Sequence, residues 1–343
     1  MPRSPARHAS SGTHVNRNTR QISLRAGRTI FVQRLRSCRE FRRKAWRFAG
    51  VFCRFEVEQT LGPTITHPTA ISSCTAVPVQ PRAVGHVELK VKSVSSATVL
   101  ADLRQAGSLK CLFPRRSGPG LESVLVNTAG GVTGGDSFSC RADAATGCTL
   151  TVTTQAAERA YRATAQDVGT IRNELTAQPG SRLNWLPQET ILFDACALRR
   201  TTHIDLNGDA QLLYCEPVVF GRLAMGESVR TGQFYDRVEI RRDGRLLYLD
   251  AIRLDADIQA QLDRPFVANG ARAMACVVYA AHDAETHLEP LREMLPDTAG
   301  ATLLEPDLLV MRLLAADGFV LRQTLIPVLN RIHRSDLPRC WMI

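Results

Sequence analysis

From Gly85 onward the chain reads with a period of two. His86-Val87-Glu88-Leu89-Lys90-Val91-Lys92 alternates polar and apolar residues without a break, the pattern of a strand with one buried face. Phe138, Cys140 and Ala142 alternate with Ser139 and Arg141. Cys148, Leu150 and Val152 alternate with Thr149, Thr151 and Thr153. Leu109, Cys111 and Phe113 keep the same rhythm less strictly, and Glu122 to Val126 reads as a buried strand. Two dipeptides that tolerate positive φ predict two-residue hairpins. Asn207-Gly208 separates His203–Leu206 from Gln211–Tyr214, and Asp243-Gly244 separates Arg237–Arg241 from Leu246–Leu249.

Helical spacing is rarer and comes late. Ala157 to Ala165 predicts one short helix. His282 to Leu295 carries Leu288, Leu291 and Leu295 on one face. Val320 to Ile332 aligns Leu321, Leu325, Val328, Leu329 and Ile332, with Pro327 as an expected kink. The expectation is a mainly β body of many strands with a few helices. No repeat of 20–50 residues shows in the letters.

Residues 1–82 differ from the rest of the chain. They are rich in Arg, Ser, Thr and Pro and hold neither period. The formal charge of +10 lies there: the first 60 residues carry 14 Lys and Arg against 3 Asp and Glu, leaving 29 against 30 in the remainder. The balanced remainder lacks the basic face of a nucleic-acid binder. Arg42-Arg43-Lys44-Ala45-Trp46-Arg47 has the look of a twin-arginine signal, but Arg54 interrupts the short apolar stretch after it. Residues 1–82 are therefore expected to be a disordered extension, or translated sequence upstream of the true start. The longest apolar run, Ala273 to Ala281, falls well short of the roughly 18 residues of a membrane-spanning helix. None of the 10 Cys forms a C-x-x-C pair, so buried reduced thiols of a cytoplasmic protein are expected.

The most unusual local sequence is Gly130-Gly131-Val132-Thr133-Gly134-Gly135-Asp136-Ser137. Its glycines have phosphate-loop spacing, but Asp136 stands where a lysine should reach the phosphates, and a strand comes next where a helix N-terminus is needed. Nucleotide binding is excluded on that ground. Two readings stay open. Gly130, Gly131, Gly134 and Gly135 supply a tight turn between strands, or they let Asp136 point inward and ligate a cation beside a polar channel. No G-x-S-x-G elbow, H-E-x-x-H or EF-hand loop is present.

Four blocks resemble one family. They are Leu125-Val126-Asn127-Thr128-Ala129-Gly130-Gly131-Val132-Thr133-Gly134-Gly135-Asp136, then Leu183-Asn184-Trp185-Leu186-Pro187-Gln188-Glu189-Thr190-Ile191-Leu192-Phe193, then Gly221-Arg222 through Met225-Gly226-Glu227, then Leu337-Pro338-Arg339-Cys340-Trp341. In order and spacing they resemble the urease accessory protein UreD family, also called UreH, over about residues 83–343. Thr128 and Ala129 depart from it where two prolines are frequent. The resemblance implies a β-helix-like fold and no catalysis. It implies binding to UreF, through UreF to the GTPase UreG, and docking on the urease apoprotein. It also implies nickel passing through an internal channel, with no tightly bound cofactor, only transient Ni2+, and no fixed high-affinity metal site.

Asp136, Glu216 and Asp250 each close a strand-like run where such a channel could collect them, and Glu189 is a fourth candidate. A buried carboxylate demands water, a cation or a basic neighbour; Arg222 or Arg253 is the expected neighbour. An internal salt-bridge network satisfies the same residues. The tail offers Leu337, Arg339 and Trp341 as a partner surface, or as a seal on the end of the β core. The competing reading is a β-helical enzyme acting on acidic polysaccharide, with Asp136, Glu189, Glu216 and Asp250 as paired acids and bases.

Overall fold

The computed structural model describes residues 81–115, 118–164 and 167–342, so nearly all of the expected extension, residues 1–82, lies outside the described residues. The chain enters through an antiparallel hairpin of β1 (Val84–Val94) and β2 (Ala97–Gly107). The strand β3 (Leu109–Leu112) then pairs with β4 (Leu121–Asn127) in a second sheet.

From β4 the chain winds as a β-solenoid of about four turns. Each turn lays one strand in each sheet. The first comprises β4 and β5 (Ser137–Ala144), the second β6 (Thr149–Thr154), a short β7 (Glu158–Ala160) and β8 (Gly169–Ala177). The third holds β9 (Arg182–Leu186), a short β10 (Thr190–Leu192) and β11 (Cys196–Leu206), and the fourth β12 (Gln211–Phe220) and β13 (Gly232–Arg242). Equivalent strands stack in parallel register: β4, β6, β9 and β12 in one sheet, β1, β5, β8, β11 and β13 in the other. Parallel neighbours need a long crossover, and here the crossover is the opposite sheet.

Stacking brings like residues together. Leu121, Leu150, Leu183 and Leu212 form one buried ladder. Val132, Ala160, Leu192 and Phe220 form another at the corner where β7 and β10 lie. Glu158–Ala160 is therefore a strand where Ala157 to Ala165 predicted a helix, because corner stacking outweighs local propensity. The two Gly-containing turns also part ways. Asp243-Gly244 joins β13 to its antiparallel neighbour β14 (Arg245–Ala256), with φ of 50° and 77°. Asn207-Gly208 makes no hairpin, since β11 and β12 belong to different sheets. The same turn chemistry serves a solenoid corner there.

After α1 (Ile258–Leu262), the strands β15 (Ala273–Ala280), β16 (Ala299–Glu305) and β17 (Leu308–Ala315) extend the second sheet beside β12. Two helices, α2 (Ala284–Met294) and α3 (Gly318–His333), cover that sheet's outer face. One core thus fills the space between the sheets, and a second lies between sheet and helices. The double cover explains why β9 is buried at all five positions instead of alternating. Asp317 caps α3 by accepting from Val320 N at 2.8 Å. No described helix is long and apolar enough to cross a membrane.

The C-terminal tail belongs to the second core. Trp341 has no exposed surface, and its indole N–H donates to Leu186 O at 3.0 Å. Arg322 of α3 lies over its ring at 5.4 Å and donates to its backbone carbonyl at 2.7 Å. Leu337 is buried as well, while Arg339 is exposed. Trp341 and Leu337 thus pack inside their own chain, as the core-seal expectation has it, and Arg339 is the exposed residue of the three. Trp341→Ala should lower stability by about 3–5 kcal/mol, the usual cost of emptying a buried aromatic site. Urea unfolding followed by circular dichroism measures it; a loss under about 1 kcal/mol would mean that the tail is not packed there.

Candidate functional site

The inter-sheet core is not apolar throughout. A chamber of about 350 Å³ opens in it, lined in part by Asn127, Glu158, Asn173, Thr190, Arg200 and Glu216. Strand register builds its charged wall. Arg200 on β11 pairs across the ladder with Asp236 on β13, and Asn173 on β8 with Thr202 on β11. Glu216 reaches in from β12 of the opposite sheet.

Arg200 is the hub. Its Nε donates to Asp236 Oδ1 at 2.9 Å and its Nη2 to Asp236 Oδ2 at 2.6 Å, a bidentate pair. Its Nη1 donates to Thr190 Oγ1 at 3.0 Å. The same Nη2 lies 2.9 Å from Glu216 Oε2. Trp185 Nε1 donates to Glu216 Oε1 at 2.7 Å, and Thr202 Oγ1 stands 3.4 Å from that oxygen. Arg200 and Glu216 are each only 3% exposed.

Burial shapes the protonation of this wall. It pushes the Glu216 carboxyl above its ordinary range; Arg200 opposes the shift and the Asp236 charge adds to it. Burial works against the Arg200 charge, but Asp236 and Glu216 more than offset it, so the guanidinium stays charged. Glu158, at another point of the chamber wall, is likewise raised by burial, against hydrogen bonds from Asn127 Nδ2 at 3.2 Å to both its oxygens.

Of the four acids singled out in the sequence, only Glu216 lines the chamber. Asp136 instead accepts backbone hydrogen bonds from Ala83 and Thr133, both at 2.8 Å, and so ties the glycine turn to the start of β1. Glu189 is paired with Arg322 of α3 at 2.7 Å. Asp250 is paired with Arg312 and lines a separate small cavity that also touches Glu216 and Asp236. The expected neighbours Arg222 and Arg253 are engaged elsewhere, with Glu227 and Asp255. Glu216 and Asp250 fall inside β12 and β14, not at strand ends.

In the glycine turn, Gly130 and Gly135 have φ of +81° and +86°. A Cβ on Gly131 would come within 2.3 Å of the Tyr161 ring, and one on Gly134 within 2.5 Å of Asp167 O. Arg200, Asp236, Glu158 and Asn173 belong to no motif in the sequence. The sole signal was a charged or amide residue at an inward position of an alternating strand, as with Arg200 between Leu198 and Thr202.

Two outcomes test this wall. Arg200→Met leaves the buried Glu216 and the partly buried Asp236 without a counter-charge, and should destabilise the fold by about 3–5 kcal/mol in denaturant unfolding. Glu158→Gln acts through pH. The folded carboxyl is raised above its unfolded value of 4.5, so its contribution to stability is full below pH 4.5 and lost as pH rises through the folded value. Glu158→Gln should therefore be more stable than wild type at pH 7, with the difference vanishing near pH 4.5. Equal stabilities at both pH values would contradict the assignment.

Residues 83–342 match the family model for the UreD urease accessory protein. The chain is similar to the urease accessory protein UreD of Ruegeria pomeroyi, 54% identical over 257 residues, which are 75% of this chain and 100% of the relative. It is similar to UreD of Roseobacter denitrificans, 50% identical over 270 residues, covering 78% of this chain and 98% of the relative. With UreD of Xanthobacter autotrophicus it shares 43% identity over 275 residues, 79% of this chain and 94% of the relative. The chain belongs to the UreD urease accessory protein family.

Proposed function

We propose that this chain is a cytoplasmic urease maturation factor without catalysis of its own. It binds UreF, reaches UreG through UreF, and docks them on the urease apoprotein. Nickel passes through the chamber between its sheets on the way to the urease active site. Ni2+ is cargo in transit, not a cofactor, and neither nucleic acid nor membrane is a partner. Family membership supports the scaffold role, and one observation supports the route: a polar chamber with two carboxylates, Glu158 and Glu216, opening within a largely apolar core. Burial disfavours the charged form of both acids, so they hold a divalent ion weakly, as a transit site must.

The saccharide-enzyme reading has less support. Asp136, Glu189, Glu216 and Asp250 are each held by a different group, and no two of them line the chamber together.

The test is co-purification of the full chain with UreF, UreG and apo-urease, followed by metal analysis of the recovered urease. Wild type should assemble with all three. Glu158→Gln combined with Glu216→Gln should leave the complex assembled and lower the nickel content of urease. Failure of the wild type to bind any partner would end the scaffold reading. Normal nickel content with the double variant would take the chamber off the route.

A further inference from the structure

Arg200 stands where two cavities meet. The 350 Å³ chamber and a much smaller cavity of about 10 Å³ share Glu216 in their walls. Arg200 lines the first, and Asp236, Asp250 and Cys276 line the second. The guanidinium is surrounded by oxygens: Thr190 Oγ1 at 3.0 Å, Asp236 Oδ1 at 2.9 Å, Asp236 Oδ2 at 2.6 Å and Glu216 Oε2 at 2.9 Å. Glu216 Oε2 is fully buried and accepts no hydrogen bond of good geometry; the Arg200 Nη2 2.9 Å away is the cation beside it. Among the described residues no three His, Cys, Asp or Glu side chains converge on a point that could hold a metal ion. Here the group bridging two carboxylates is a guanidinium.

We propose that Arg200 is a resident cation occupying the place of a divalent metal ion between Glu216 and Asp236, and that an ion moving from the chamber into the smaller cavity must displace it. The inference rests on nickel passage through the chamber. Two carboxylates and a threonine hydroxyl are oxygen donors that suit a hard or borderline divalent ion. With Glu216 ionised, one guanidinium leaves this pair of carboxylates a net negative charge, which a divalent ion in its place would cancel. Arginine cannot leave by losing its proton; it has to swing away, and the adjoining chamber has the room. The site thus stays closed to monovalent charge and yields to a divalent ion, which gains more from both carboxylates than the guanidinium does.

The experiment uses the full chain alone, with nickel(II) chloride as the probe, in equilibrium dialysis and thermal unfolding. Arg200→Gln should bind up to one further nickel per chain, with a Kd at least about tenfold below wild type, a difference of about 1.4 kcal/mol. Nickel should raise its unfolding midpoint more than it raises that of wild type. Adding Glu216→Gln should abolish both gains. Should Arg200→Gln fail to fold, Arg200→Lys keeps the charge but cannot fork to both carboxylates, and should gain nickel affinity in the same direction. Wild-type nickel binding by the variants overturns the proposal, as does a gain that survives Glu216→Gln. Neither urease nor any partner enters the measurement. Its failure leaves the docking and delivery reading standing, and failure of that reading leaves this result intact.

Discussion

Parallel stacking of equivalent strands is the constraint on which the rest of this molecule depends. A strand in the solenoid can pair only with the strands one turn above and below it, and the register is continuous from β5 through β13. Whatever stands at one level of one turn therefore meets its counterpart in the next. At most inward levels the counterparts are apolar, as in the Leu121, Leu150, Leu183 and Leu212 ladder, and the sheets close on a dry core. A slip of one residue would turn every such side chain to the wrong face. The ladders fix the register, and the register aims every charged side chain in the interior.

The polar wall is an exception that the same constraint makes tolerable. Buried charges are costly unless paired and hydrogen-bonded, and a lone arginine on β11 would be ruinous. Register delivers Asp236 on the neighbouring strand at the same level, and the opposite sheet delivers Glu216. The pairing is not perfectly balanced, with two carboxylates to one guanidinium and an oxygen of Glu216 left without a hydrogen bond. A core selected only for stability would hold leucine at these positions.

The C-terminal elements act on the outer side of the same sheet. α3 packs Leu321, Leu325, Val328, Leu329 and Ile332 against it, and Arg322 binds Glu189 and the Trp341 carbonyl together. The block from Leu183 to Phe193 is thus covered twice: Trp185 faces the chamber, while Leu186 and Glu189 hold the helix and tail. This gives a physical role to two of the distinctive sequence blocks at once, since Trp341 of the last block donates to Leu186 of the second.

By itself the sequence determined many of the elements and the family. The two-residue alternation of β1, β5 and β6 is local, because each strand shows one face to an apolar core, and the late helices announce themselves by spacing. The four distinctive blocks carried the family, since they keep specific residues at turns and contacts. The solenoid repeat was hidden, because a ladder rung asks only for an apolar residue; Val132, Ala160, Leu192 and Phe220 stack with no letter in common. Tertiary structure alone decided which sheet a strand joins, so Asn207-Gly208 became a corner and Asp243-Gly244 a hairpin. It alone also decided which acids meet which bases. Arg200, Glu216 and Asp236 are separated along the chain and come together only when β11, β12 and β13 are wound into two facing sheets. Asp136, next to an eye-catching run of glycines, is spent on two backbone amides. Distances across the winding set the partner of each charge, and no local pattern in the chain encodes them.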